Sequence, residues 1–287
     1  MFMHPRPFRA DDMPRTIVVI DTESQYDTQA HGRYLDAERF TAEVRESLHP
    51  RETREDPRVK PRWPCQRITT MSWLILHEGP DGLVPHRMET RGFPEQDERA
   101  ILMAFFADMQ QLGSVRLISW GGFSADLPQI VIGAMAAGLQ LPDCLKGLLS
   151  PWRREQAGHT DLMTEMCAGA ARPHMAEVAA RLGIPTKLTC RPDLVTWLMD
   201  RGKWSDVRAV CEGDVLTLTT ILMLWMHLDG RGASPLEGMH RLSRFVADDL
   251  GHRSYAEHWA AFASAQLREA FARETGKLAT LAPHLAE

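Results

Sequence analysis

Residues 16–24 read TIVVIDTES. Thr16 to Ile20 are all β-branched. A short apolar run of that kind is a buried strand, expected over Thr16–Thr22. Asp21 and Glu23 close the run. Side chains two apart on a strand point to the same face. Two carboxylates held side by side repel one another, and a divalent cation is an economical way to offset that. The other reading is that the strand has ended and water solvates both acids. Spacing alone does not choose between them.

Beyond this strand the pattern breaks, and residues 24–67 read as a charged insertion. Its stretch Arg45–Arg62, RESLHPRETREDPRVKPR, is dense in charge and proline and reads as a solvated loop. Ile68–His77 is a second strand. Leu83–Glu89 is a third, after a GPDG turn at Gly79–Gly82. Glu95–Leu112 has helical spacing through Ile101, Leu102, Phe105, Phe106 and Met109. Val115–Trp120 is a short strand, and Asp126–Ala137 is a helix stopped at Gly138. Further helices are expected over His174–Leu182, Pro192–Met199 and Ser205–Leu228. Strands first, then alternation, then helices define an α/β chain with a mixed sheet.

The bulk composition narrows the function classes. The chain has 287 residues, 44% hydrophobic and 25% charged, with a net charge of −5. That balance argues against charge-driven coating of nucleic acid, but not against an enzyme whose site is neutralised by metal ions. The five cysteines are Cys65, Cys144, Cys167, Cys190 and Cys211. They are scattered and show no CxxC, which disfavours a disulfide framework or a zinc site. The first fifteen residues have no apolar core of signal-peptide length, and no run of about 18 apolar residues appears. A cytoplasmic setting without a membrane is the expectation.

Three further carboxylates are candidates for a site. Asp126 lies in ISWGGFSADLPQI, where a strand ends, glycines turn the chain and a helix begins. Strand ends in α/β sheets are where sites are built, but an N-cap is the ordinary job of such an Asp. Asp161, in GHTDLMTEM, reads as a cap or first-turn acid, with His159 as a surface residue. Asp214 sits in AVCEGDVLTLTTIL, near the head of an apolar helix, where an acid can also simply serve the helix dipole.

Taken in order, IDTE, WGGFSADLP, HTDLM with AEVAARLGIPTK, and VCEGDV resemble the DEDD superfamily of 3′→5′ exonucleases. They are most similar to the branch related to the proofreading domain of B-family DNA polymerases, over about Thr16–Trp225. The resemblance implies a ribonuclease-H-like fold: a mixed five-stranded sheet flanked by helices. It implies that Asp21, Glu23, Asp126 and Asp214 bind two Mg²⁺ or Mn²⁺. It also implies metal-dependent hydrolysis of terminal phosphodiesters, releasing nucleoside monophosphates from the 3′ end. Mg²⁺ and Mn²⁺ prefer carboxylate oxygens and keep positions open for water and phosphate, so these residue types suit that chemistry. Thr22, Phe123 and Lys187 are the substrate-binding candidates. Arg67 and Arg191 are weaker candidates for the strand's backbone, and Trp120 and Trp152 for base stacking.

The chain departs from the family pattern at three places. The family's Tyr lies four residues before the last Asp, on the same helix face, where its phenol can orient water. That position is Val210 here, and the position of the superfamily's His variant is Ala209. The family's Asn in the second motif is Gly121, and its aromatic residue before the Asp is Ala125. Three consequences stay open. The cations suffice; or a residue of the insertion substitutes, with Tyr26, His31 and Tyr34 as candidates; or catalysis is lost and the fold is kept for binding.

The domain reading is a tail over 1–15, an exonuclease-like domain over 16–229, and a helical extension over 230–287. GRGAS at Gly230–Ser234 reads as a linker, and Pro235–Lys277 as helical. These helices can pack back on the core or pair with a protein partner. The expected function is a 3′→5′ exonuclease on single-stranded DNA or frayed 3′ ends, with DNA preferred over RNA. The alternatives are an inactive module that binds nucleic acid or protein, and an RNA exonuclease.

Overall fold

A computed structural model describes residues 16–38, 56–79, 82–149, 158–230 and 234–281. The expected strand at Thr16 forms, and it runs longer than its apolar core: β1 covers Thr16–Tyr26. β2 (Gln66–Gly79) and β3 (Gly82–Gly92) pair antiparallel on one side of it. β4 (Arg116–Ser119) and β5 (His159–Asp161) lie parallel on the other. The order β3-β2-β1-β4-β5 makes one mixed five-stranded sheet, the ribonuclease-H-like arrangement.

Alternation along the strands separates two hydrophobic layers. Val18, Ile20, Trp73, Ile75 and Leu117 face α2 (Glu98–Leu112) and α3 (Asp126–Ala137). Ile17, Val19, Leu74, Leu76 and Ile118 face the opposite layer, dominated by α7 (Trp204–Leu228). Between β5 and α7 come α4 (Leu162–Cys167), α5 (Met175–Leu182) and α6 (Val195–Asp200). Among the described residues α7 is the one helix long and apolar enough to cross a membrane, but 83% of its apolar window is buried inside the protein. Its apolarity is that of a core helix covered on every side.

Two expectations are corrected. The segment 24–67, expected as a loop, is partly regular. It completes β1, forms α1 (Thr28–Ala37) and makes a 3₁₀ turn at Trp63–Cys65 before β2. Asp27 caps α1 by accepting from the Gln29 and Ala30 amides at 2.9 and 3.0 Å. Local capping and strand pairing with Gln66 outweigh the poor hydrophobic pattern there. Residues 56–62 are irregular, as expected; residues 39–55, the tail over 1–15, Trp152 and the middle of the GPDG turn lie outside the described residues. The second correction is β5, which the sequence reading left out. Three residues are too few for a periodic signal.

The C-terminal segment folds into α8 (Pro235–Asp249) and α9 (Ala256–Leu281). α8 packs on α7 and β3. Met239, Leu242, Val246, Tyr255 and Trp259 are buried in the same hydrophobic layer as β1 and α7. The helices expected as an extension thus complete one wall of the sheet's core.

Candidate active site

The alternation that divides the core also divides the acids. Asp21 and Glu23 continue the face of Ile17 and Val19, toward α7, while Thr22 continues the face of Val18 and Ile20, toward α3. Asp214, in the third turn of α7, therefore meets Asp21 and Glu23. One carboxylate oxygen from each of the three lies within 4.8 Å of the others. Divalent cations take carboxylate oxygens at roughly 2.0–2.6 Å, so oxygens spaced this way fit around one ion. The Oδ2 atom of Asp21 is buried with no hydrogen-bond partner among the described residues. A buried, unpartnered carboxylate oxygen aimed among like charges is what a metal ligand presents.

Asp126 reaches the site from the other face. It starts α3, is buried, and accepts from the Thr22 hydroxyl at 2.6 Å. It stands outside the three-oxygen cluster but close enough to raise the pKa of Asp21 and Glu23. Thr22, expected against substrate, is occupied in holding Asp126.

The electrostatics are those of charge under compression. Burial, then Asp214, Glu23 and Asp126, push the Asp21 carboxyl well above the ordinary range. Burial and Asp214 push Glu23 up to about 8, against the pull of Lys187. Burial pushes Asp126 up to about 6, opposed by the Thr22 hydrogen bond. Burial also raises Asp214, opposed by the ion pair it makes with Lys187. Lys187 is the one cation at the cluster among the described residues, held in a left-handed conformation at φ 51° that costs a non-glycine residue strain.

The loop before Asp126 is tightly specified. Asp161 caps α4 and accepts from the Gly121 and Phe123 amides at 2.9 and 3.2 Å. Gly121 adopts φ 71°, and a Cβ on Gly122 would stand 2.1 Å from the Ser119 hydroxyl. His159, expected at the surface, is 4% exposed. Its Nε2 pairs with the Ser119 hydroxyl at 2.8 Å, and its ring meets Phe123 edge-on at 4.7 Å. It is thus a buried residue of β5, on the face covered by Ser119 and Phe123. Phe123 is half-buried against the α2–α3 layer. Trp120 is half-buried against the other layer.

Val210, where the family has tyrosine, is 4% exposed and packs with Val195, Leu198, Met199 and Val207. Ala209 is buried in the α7 layer. The suggested substitutes are Tyr26, on β1, and His31 and Tyr34, on α1. Tyr26 is exposed near the end of β1, on the face of Thr22. His31 and Tyr34 sit on α1 with ring centroids 6.1 Å apart, and His31 Nε2 is 2.7 Å from the Pro57 carbonyl. Arg67 lies over the Phe93 ring at 5.3 Å, and Arg191 pairs with Asp193 at 3.0 Å.

Sequence reading missed two features beside the acids. Glu212, two residues before Asp214, is 1% exposed and accepts from Arg253 Nη2 at 2.6 Å and Tyr255 Oη at 2.7 Å. That network ties the loop between α8 and α9 to the helix bearing Asp214. On the α3 side, Gln66 Oε1 accepts from Gln129 at 2.8 Å and from Ser24 at 3.3 Å, a polar cluster next to Asp126. Both join residues too distant in the chain for any spacing to reveal.

A mixed sheet whose central strand carries two carboxylates, met by a further acid from a core helix and another from the opposite face, forms a candidate site for a divalent cation on a ribonuclease-H-like fold. The chain belongs to the family of predicted 3′–5′ exonucleases related to the exonuclease domain of PolB, whose model matches residues 61–266. That match runs through α8 and into α9. The chain is also similar to the family B DNA polymerase from the hyperthermophilic archaeon Pyrobaculum calidifontis, at 14% identity and a TM-score of 0.44. The likeness covers 82% of this chain and 29% of that polymerase. No curated protein matches the sequence.

Proposed function

We propose that the protein is a metal-dependent 3′→5′ exonuclease that hydrolyses the terminal phosphodiester of single-stranded DNA, or of frayed 3′ ends, to nucleoside monophosphates. The observation that carries this reading is the cluster of Asp21, Glu23 and Asp214 oxygens within 4.8 Å of one another. Asp21, Glu23 and Asp214 are the residues to hold one divalent cation, with Asp126 on the flank as the ligand that extends the site to two. Mg²⁺ or Mn²⁺ bound there supplies a lowered water pKa and charge stabilisation at the leaving 3′ oxygen.

The chain's own groups do the rest. Thr22 fixes Asp126 by a hydrogen bond, and the buried α7 fixes Asp214 against the sheet. Lys187, paired with Asp214, offsets part of the carboxylate charge and is the cation best placed to meet a substrate phosphate. Val210 brings no hydrogen-bonding atom to orient water, so this enzyme works without the contribution that a positioned side chain typically makes, about 10²–10⁴-fold. The setting we propose is the cytoplasm, with nucleic acid as the partner and DNA taken in preference to RNA.

One observation favours a second reading, an inactive module binding nucleic acid or a protein: Val210 is sealed in an apolar cluster. The test is a 5′-labelled single-stranded DNA oligonucleotide, with an RNA of the same sequence beside it, incubated with Mn²⁺ and either the protein or its Asp21→Ala variant. A ladder of shortened DNA products absent from the variant is the expected result. A ladder on RNA alone reassigns the substrate. Metal-dependent thermal stabilisation with no ladder on either strand establishes the inactive module.

A further inference from the structure

The acid strand continues past the metal ligands toward a surface with its own character. Asp21, Glu23 and Gln25 alternate onto one face of β1, and Gln25 lies about 7 Å beyond Glu23. There it meets α6: Gln25 Nε2 donates to Asp200 Oδ1 at 3.1 Å. A second tie lies one strand over. The Thr69 hydroxyl is 3.1 Å from the Glu23 carbonyl and 3.7 Å from the Met199 sulfur. α6 is thus fixed against the strand that bears the acids, with Val195, Leu198 and Met199 buried beneath it.

On the outer side of α6, Trp197 leaves 49% of its surface exposed. The Arg201 guanidinium lies over its ring, 5.4 Å from the centroid. Residues 187–203 carry four cations, Lys187, Arg191, Arg201 and Lys203, against two carboxylates, Asp193 and Asp200, in a chain whose net charge is −5. A half-exposed flat aromatic on a helix, backed by a guanidinium and carried by a segment with more cations than carboxylates, suits a polyanion whose bases stack.

Resting on the exonuclease reading above, we infer that Trp197, backed by Arg201, is a stacking platform for a base of single-stranded nucleic acid, upstream of the nucleotide held at the acids. The platform holds the strand in line with β1 and accepts any base, because every base offers a π-face. Trp197 is a positioning residue: it touches the strand away from the reacting phosphodiester.

The test uses the full chain and a short 5′-fluorescein oligothymidylate in Ca²⁺, read by anisotropy. Trp197→Ala is expected to weaken Kd about tenfold, within the range of base–aromatic stacking, and Trp197→Phe to recover most of the loss. A series of oligonucleotides, each with a single abasic site, then maps the contact. One position near the 3′ end is expected to cost the wild type affinity while costing Trp197→Ala nothing further, a non-additivity that a merely structural role would not produce. Wild type that binds and degrades the strand, with Trp197→Ala binding equally well or with additive losses at every position, overturns the platform and leaves the nuclease reading standing. Wild type that neither binds the oligonucleotide nor yields products with Mn²⁺ overturns both.

Discussion

Asp21 concentrates the site's electrostatic problem in one side chain: burial, Asp214, Glu23 and Asp126 all oppose its charge. Replacing it with the isosteric Asn removes one of three clustered carboxylates while keeping the shape. Asp21→Asn is therefore expected to raise the metal-free Tm by roughly 2–4 °C, equivalent to about 1 kcal/mol, and to abolish the further rise on adding Mn²⁺. Differential scanning calorimetry with and without metal separates the two effects. Cleavage should fall by more than the roughly 10–100-fold typical of changes outside the ligand shell. Val210 poses the opposite trade. Val210→Tyr returns a phenol to the turn before Asp214, and single-turnover cleavage should rise by about tenfold or more. The same change overfills the cluster around Val207, so urea unfolding should show a loss of about 1–3 kcal/mol.

At the scale of elements, the position of α7 decides whether Asp214 reaches β1. Its apolar faces are clamped by both the sheet and α8, and its one deeply buried carboxylate outside the acid cluster, Glu212, is paired with Arg253 and hydrogen-bonded by Tyr255. Burial and Glu212 push the Tyr255 phenol far above its ordinary pKa, so it stays a donor at any working pH. Arg253→Ala strands a carboxylate that is 1% exposed with one remaining partner. The expected cost is about 3 kcal/mol by denaturant titration, and Glu212→Gln in the same background should recover part of it. If Arg253→Ala proves neutral, the loop between α8 and α9 does not brace the acid helix.

Across the whole molecule, acid stability carries the signature of a buried imidazole. Burial holds His159 well below the usual range, at about 4, with Asp161 opposing that shift. The unfolded chain takes up this proton near pH 6.5, while the folded one resists it until about pH 4. The stability due to neutral His159 is therefore fully present above about pH 6.5 and is lost as pH falls through that window. Between about pH 7.5 and pH 5 the loss from this group is on the order of 2 kcal/mol. Unfolding of His159→Gln, compared with wild type at the two pH values without added metal, should show a pH dependence shallower by that amount.

The sequence by itself determined the central strand and the core helix, because β-branched runs and helical periodicity are local signals; the four acids are picked out only by the resemblance of the ordered motifs, since the spacing around each one leaves a solvated or capping role open. It could not show that Asp126 approaches from the face opposite Asp21 and Glu23, since that follows from which helix packs on which side of the sheet. It had no means to find β5, the Glu212–Arg253–Tyr255 network or the exposed indole of Trp197. Each of these joins residues 40 or more positions apart, or depends on what a neighbouring element leaves uncovered. Periodicity reports how a segment meets its core; only tertiary packing decides which segments meet one another, and with it which carboxylates come together.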